Sequence, residues 1–248
     1  WSHNDSGHPA EIVATDTSGK ILGAWTVPGA TNVDWEDLAL GPCPAGACLY
    51  IGDTGDNSER RSSITIYRVP EPDPRVPTAE LPGADALRIR LPDQARDIEA
   101  LHVDRDSAVW LVSKGRSGPI VLYQIPAAAW GRDSAEAIWI DSLPIYHHVP
   151  SRHMVTGSAV SPGGDRVVVR TYHDLFLFER SAGGGLLPAR PPNRCDLEGL
   201  EVQGEGVDWW DESTLVLTSE ANVGVPARLR LVDCGWRPSG GDSAGVVP

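Results

Sequence analysis

"EALHVDRDSAVWLVSK" (Glu99–Lys114) and "EGVDWWDESTLVLTSE" (Glu205–Glu220) align without a gap. Each reads glutamate, a small residue, an apolar residue, an Asp-rich turn, an apolar strand, a serine and a charged residue. A third copy, "EDLALGPCPAGACLYIGD" (Glu36–Asp53), lengthens the turn between two cysteines, and a fourth, "SAVSPGGDRVVVRTYH" (Ser158–His173), puts serine where the others have glutamate. The opening "WSHNDSG" matches the end of the unit, Asp5-Ser6-Gly7 mirroring Asp53-Thr54-Gly55. Further short strands follow each copy: "EIVATD", "SITIYRV", "PIVLYQI", "DLFLFER" and "ARLRLVD", with "KILGAWTV", "ALRIRLP" and "AIWIDSL" beyond some of them. One unit of three or four antiparallel strands, recurring about every 40–60 residues, predicts an all-β propeller of five blades. Trp1 opens in what should be a second strand. The innermost strand of that blade is therefore expected from the C-terminal tail ("SAGVVP") or from residues outside this sequence.

Composition agrees. The 248 residues include 26 Gly and 21 Pro but only 2 Phe and 1 Met, and the apolar segments are short, rich in Val, Ile and Leu, and bounded by turn residues. One propeller domain over 1–248 is expected, with 237–248 a flexible tail unless it closes the ring, and "RVPEPDPRVP" (68–77) an extended connection between strands. No apolar run is long enough to span a membrane. A net charge of −13 argues against nucleic acid as a partner and suits cations or a small polar molecule. Four cysteines allow three pairings, and proximity favours Cys43–Cys48 across the turn in "GPCPAGAC", leaving Cys195–Cys234. No CxxC pair or His spacing supports zinc. The sequence is read as a mature or trimmed secreted chain, since it does not begin with Met.

Propeller geometry turns spacing into position. The start of each innermost strand and the end of the strand beside it lie on one rim of the central channel. The first set is Glu36, Glu99 and Glu205, and the second is Asp5, Asp53, Lys114, His173 and Glu220. Carboxylates gathered at a channel mouth raise one another's pKa unless something compensates. Lys114 and Arg170 are one route, as internal ion pairs or as partners for substrate charge. A hard cation is the other: Asn4, Asp5, Glu36, Asp53, Asp56, Asn57, Glu99, Glu205 and Glu220 form an oxygen-only donor set that suits Ca²⁺ better than zinc or copper. No linear EF-hand loop is present.

"YHHVPSRH" (146–153) enters an innermost strand on the same face. His147, His148 and His153, with His3 and His173, are candidate proton carriers, or else histidines of a solvated loop. "GPCPAGAC" lacks the Lys-Ser/Thr of a phosphate-cradling loop, and "TGSAV" around Ser158 lacks a nucleophile elbow. Trp35, Trp110, Trp209 and Trp210 fall at strand positions as inter-blade packing, with Trp35 and Trp209 placed as ligand platforms in the alternative.

"HNDSG" (3–7), "DWEDLA" (34–39), "GDTGDN" with Arg60 or Arg61 (52–61), "DIEAL" (97–101), "TGSAVSPGGDRVVVRTY" (156–172) and "QGEGVDW" (203–209) together resemble a widespread group of bacterial secreted β-propeller proteins. The resemblance covers nearly the whole chain and implies the fold and an extracytoplasmic location, but no reaction. More distantly, the chain is similar to phytase-like and gluconolactonase-like propellers. In those, a Ca²⁺ near the axis polarises a phosphate or lactone oxygen and activates water. A clean local match to their catalytic residues is missing here. The expectation is a metal-assisted hydrolase or lyase for a small polar substrate, in which Glu36, Glu99, Glu205, Lys114, Arg170 and a rim histidine do the chemistry. The alternative is a non-catalytic binding propeller with a structural cation or internally paired charges.

Overall fold

A computed structural model describes residues 1–76, 80–145, 153–191, 193–197, 199–201, 203–221 and 224–236. They form five antiparallel-dominated sheets, arranged as a five-bladed propeller. Among the described residues the one helical element is a 3-10 turn at Ala127–Ala129.

The first sheet holds β1 (Ser2–His3), β2 (Glu11–Thr15) and β3 (Ile21–Thr26). The second runs β4 (Trp35–Cys43), β5 (Gly46–Asp53), β6 (Ile64–Pro70) and β7 (Asp85–Arg90), and β11 (Ser134–Glu136) adds to its outer edge in parallel with β7. The third is β8 (Ile98–Val103), β9 (Val109–Ser113), β10 (Val121–Ile125) and β12 (Ile138–Ser142). The fourth is β13 (Val155–Val160), β14 (Arg166–Thr171), β15 (Asp174–Arg180) and β16 (Leu186–Pro188), with β17 (Arg194–Asp196) also paired to β15. The fifth is β18 (Gly204–Trp209), β19 (Thr214–Ser219) and β20 (Arg228–Asp233).

The innermost strands β4, β8, β13 and β18 stand side by side in that order. Burial follows position in the ring. In the third sheet β8 and β9 are buried along their whole length, as a sheet covered on both faces requires. In the first sheet β2 alternates buried and part-buried residues, as a half-covered strand should.

Apolar side chains fill the seams between neighbouring blades. Tyr50, Ile66 and Leu87 meet Leu101, Leu111 and Tyr123 between the second and third, and Ile12, Trp25 and Trp35 meet Leu49 and Ile51 between the first and second. Trp110 and Trp209 lie in the next two seams, so Trp35, Trp110 and Trp209 are packing residues, while Trp210 is exposed. Trp35 and Trp209 also donate their indole N–H groups to the carbonyls of Thr31 and Ala159.

No apolar cluster of described residues joins the fifth blade to the first. Among the described residues no strand lies inside β1 either, and the tail expected to supply one falls outside them. Both disulfides favoured by proximity are formed, Cys43–Cys48 with Cα atoms 5.8 Å apart and Cys195–Cys234 at 5.7 Å. No helix among the described residues is long and apolar enough to cross a membrane.

Candidate functional site

One irregularity recurs at the head of four blades. Trp35 pairs with Asp53, Ile98 with Ser113, Val155 with Thr171 and Gly204 with Ser219, and directly after each pair the register slips. The residues passed over are Glu36, Glu99, Thr156 and, in the fifth sheet, Glu205 with Gly206. A β-bulge leaves a residue out of the ladder and re-aims its side chain, so the glutamates leave the strand's alternation and turn to the rim. A backbone bond closes each bulge. Thr54, Lys114, Tyr172 and Glu220 donate N–H to the carbonyls of Asp34, Asp97, Met154 and Gln203, at 3.1, 2.8, 3.3 and 3.0 Å.

This register revises the gapless alignment in the fourth blade. Thr156 holds the glutamate's place, and Tyr172, rather than His173, holds that of Lys114 and Glu220. The turn from β13 to β14 is one residue longer than the turn from β8 to β9, which displaced the alignment. Ser158 is buried lower down, its hydroxyl 3.0 Å from Nδ1 of His102.

Two aspartates that the sequence reading passed over complete the acidic centre. Oxygens of Asp5, Asp34 and Glu36 lie within 4.8 Å of one another, and so do oxygens of Glu36, Asp97 and Glu99. Glu36 belongs to both sets. The signal was the aspartate two residues before the glutamate in "DWE" and "DIE": its carbonyl accepts the bulge-closing bond, and its carboxylate stands beside the glutamate's.

Compensation is lopsided. Lys114 Nζ is 2.5 Å from Glu99 Oε1 and 3.7 Å from Asp97 Oδ2, and Arg116 Nε is 3.1 Å from the same Asp97 oxygen. Among the described residues no lysine or arginine nitrogen pairs with Asp5, Asp34 or Glu36. Burial, with Glu99 and Asp34 adding, pushes the Glu36 carboxyl far above the carboxylate range, and Lys114 pulls back only in part. Burial and the neighbouring Asp5 and Asp97 also raise Asp34.

Lys114 and Glu99 both shift upward, although a simple ion pair would move them apart. Burial alone would lower Lys114, but Glu99 and Asp97 together hold its proton above the ordinary value. Burial and Asp97 keep Glu99 raised, because one ammonium is divided among several carboxylates. Glu205 is pushed up to about 7, mainly by burial. Gln203 Nε2 donates to Glu205 Oε1 at 3.1 Å and to Glu220 Oε2 at 2.7 Å. Tyr172, close to Glu205, Lys114 and Glu99, is raised to about 12 by its burial.

The other expected site residues lie as follows. Asp53 accepts the backbone N–H of Asp34 at 3.1 Å and Arg61 Nη1 at 3.0 Å, and Asp56 accepts the N–H groups of Arg60 and Arg61 at 2.5 Å each. Both carboxylates shape the 52–61 loop. Arg170 is fully buried, held by Glu201 and by the carbonyls of Gly206 and Thr218, so its guanidinium braces the fifth blade. His3, beside Asn4 and edge-on to Trp35, is lowered by desolvation. Asn4 is exposed and joins the second blade through its carbonyl, which accepts from Asn32 Nδ2 at 3.0 Å. His153 Nδ1 lies 3.6 Å from Asp174 Oδ2. His147 and His148 fall outside the described residues. Beneath the rim, buried Asp37 reaches from β4 to the backbone N–H groups of Leu101 at 2.9 Å and Ser158 at 3.4 Å, tying three innermost strands together.

Gly55 explains the motif "GDTGDN". A Cβ there would run into carboxylate oxygens of both Glu36 and Asp34. Gly55→Ala is expected to lower stability by about 1–3 kcal/mol, the range for overpacking a filled site, and to disturb the acidic centre. Urea denaturation measures the loss. A neutral result would mean that the carboxylates do not lie over the loop.

No family model matches the chain, and no curated protein matches it. Among solved structures it is similar to a virginiamycin B lyase from Staphylococcus aureus, with 14% identity over 90% of this chain and 59% of that one, at a TM-score of 0.44. It is also similar to the Dos1 propeller, with 10% identity over 91% of this chain and 50% of that one, at 0.43. A functionally unknown protein from Desulfotomaculum acetoxidans gives 14% identity over 90% and 62%, again at 0.43. The chain thus spans between 50% and 62% of the length of these structures. Likenesses this low bear on neither substrate nor reaction.

Proposed function

We propose that the chain is an extracytoplasmic propeller whose axial mouth binds a hard divalent cation, with Ca²⁺ the best match. The observation that carries this is the trio Asp5, Asp34 and Glu36, which no lysine or arginine among the described residues pairs, continued through Glu36 to Asp97 and Glu99. Calcium–oxygen bonds measure about 2.3–2.6 Å, so ligand oxygens up to about twice that far apart fit one ion; the oxygens of each set all lie within 4.8 Å of one another. The donors are all oxygen, which disfavours zinc and copper. Two disulfides support the location, since such bonds persist in oxidising compartments.

The finer reading is a metal-assisted hydrolase or lyase for a small polar substrate. A bound ion of this kind polarises an anionic or carbonyl oxygen and lowers the pKa of its water. The chain's own part is to move the proton and balance charge. Glu205, titrating near neutrality, is the suited proton carrier. Lys114 lies between Glu99 and the Tyr172 side, where it offsets negative charge on a substrate. A second reading, a binding propeller without chemistry, is favoured by the ion-pair network of Lys114, Arg116 and Arg61, which already neutralises one side of the mouth.

Calorimetric titration of chelator-stripped protein with Ca²⁺, Mg²⁺ and Zn²⁺ tests the cation. One Ca²⁺ site is expected, weakened at least about tenfold in Glu36→Gln because that residue serves both oxygen sets (about 1.4 kcal/mol). Absence of Ca²⁺ binding in the parent protein would end the proposal. Retained Ca²⁺ binding with no effect of Glu205→Gln on any turnover found would favour the binding-module reading.

A further inference from the structure

Outside the acidic mouth, three arginines converge on one small cavity. Arg60, Arg61 and Arg96 line a 220 Å³ pocket with Ser62, Ser63 and Gln94, and no carboxylate lines it. In a chain of net charge −13 it gathers three guanidinium groups, two of them paired to carboxylates outside the lining. The floor is apolar: Ile64 at the start of β6 and Ile89 near the end of β7 are buried, and Leu91 is part-buried beside them.

Two of the arginines are fixed before any ligand arrives. Arg96, itself buried, is gripped by Asp93 Oδ2 through Nε at 3.1 Å and Nη2 at 2.6 Å, and Asp93 is in turn held by the Tyr123 hydroxyl at 2.8 Å. Arg61 Nη1 is anchored to Asp53 and to the Gly55 carbonyl at 2.8 Å. Each keeps guanidinium N–H groups beyond those bonds. Arg60 is exposed and its side chain has no carboxylate partner among the described residues, so its charge is uncompensated. Planar guanidinium forks match oxyanions in charge and geometry, and pre-anchored donors lose little freedom on binding.

We propose that this pocket binds an oxyanion carried on a short apolar body. The arginines and serines take the charged oxygens, and Ile64, Ile89 and Leu91 take the apolar part. The pocket shares Arg61 and the 52–61 loop with the mouth, but none of Asp5, Asp34, Glu36, Asp97 and Glu99 lines it. Its binding is therefore read on metal-free protein.

The test is calorimetry on chelator-treated full chain, at constant ionic strength, with inorganic phosphate and with butyrate as probes. Both are expected to bind one shared site in mutual competition, butyrate the more tightly. Arg60→Glu is expected to weaken both at least tenfold. Gln94→Glu, which places a carboxylate in the lining without touching an anchored arginine, is expected to do the same. Both positions are exposed, so unchanged thermal melts are expected to accompany the loss. If Arg60→Glu fails to fold, Gln94→Glu alone decides. No saturable binding of either probe, or binding indifferent to the substitutions, overturns the proposal, and phosphate binding without butyrate binding overturns its apolar half. Because the protein is metal-free throughout, failure of the Ca²⁺ titration leaves this result standing, and the converse holds.

Discussion

Lys114→Ala is expected to destabilise the protein by about 3–5 kcal/mol, the range for removing one partner of a buried ion pair. Lys114, Glu99 and Asp97 are 6%, 3% and 0% exposed, so water does not take over when the ammonium is removed. Glu99 then loses its ion-pair partner, while Asp97 keeps Arg116 and the N–H of Asp56. Most of the loss should therefore trace to Glu99, and adding Glu99→Gln to the Lys114→Ala background should recover a large part of it. The loss should also be smaller at pH 5 than at pH 8, because Glu99 titrates at about 8 even with the lysine present and protonates readily without it. Arg75→Ala is the contrast. Its pair with Asp73 is 87% and 41% exposed, so water takes over when it is broken and little stability should be lost. Urea denaturation of the parent protein and these three variants at the two pH values separates these outcomes. A Lys114→Ala loss no greater than that of Arg75→Ala would mean that the mouth is hydrated and its charges are not buried.

The difference between what was legible in the sequence and what was not lies in the bulges. Strand order, blade number and the gathering of Glu36, Glu99 and Glu205 follow from a repeat in which apolar runs and Asp-rich turns recur at matched offsets. The third and fifth blades have turns of matching length, so Glu99 and Lys114 map directly onto Glu205 and Glu220. The fourth blade has a longer turn, and a gapless comparison carries Ser158 and His173 into places that Thr156 and Tyr172 occupy. A bulge residue is invisible to a period-two pattern, because it is the one residue that breaks the period.

Charge partners were harder still. That Asp53 and Asp56 are engaged by the 52–61 loop depends on backbone N–H groups aimed by turn geometry, which composition does not report. Arg170 reads as a rim cation from its spacing. Of the two roles open to it, internal ion pair or partner for substrate charge, the structure shows an ion pair with Glu201, from a connection with no repeat signature, and a pull on Glu205 as well. The asymmetry between a neutralised side of the mouth and an open one at Asp5, Asp34 and Glu36 is the part of the site that only coordinates reveal.

That asymmetry has a consequence for stability against pH. Glu205, Glu99 and Glu36 have folded-state values of about 7, about 8 and about 10, all above the ordinary value of 4.5. For a group whose pKa is raised on folding, the stabilisation is complete below the unfolded value and is lost as pH climbs toward the folded one. The metal-free protein should therefore become less stable from about pH 5 upward. Each group contributes a slope of up to about 1.4 kcal/mol per pH unit until it ionises, Glu205 levelling off first. Carboxylates with lowered values, such as Asp73 at about 2, act below this window, and His102, lowered to about 3 by burial, opposes the fall only below about pH 6.5 and as one group against three. Glu36→Gln removes the group with the widest window and the repulsion it exerts on Glu99, so its curve should be flatter between pH 5 and 8. A hard cation favours the ionised carboxylates, so saturating Ca²⁺ should raise stability more at pH 8 than at pH 5, and Glu36→Gln should reduce that difference. Chemical denaturation of both proteins across pH 5–8, with chelator and with Ca²⁺, gives four curves. Stability that rises with pH in the metal-free parent would mean that these glutamates are already ionised and solvated, and the mouth would lose its reason to hold a cation.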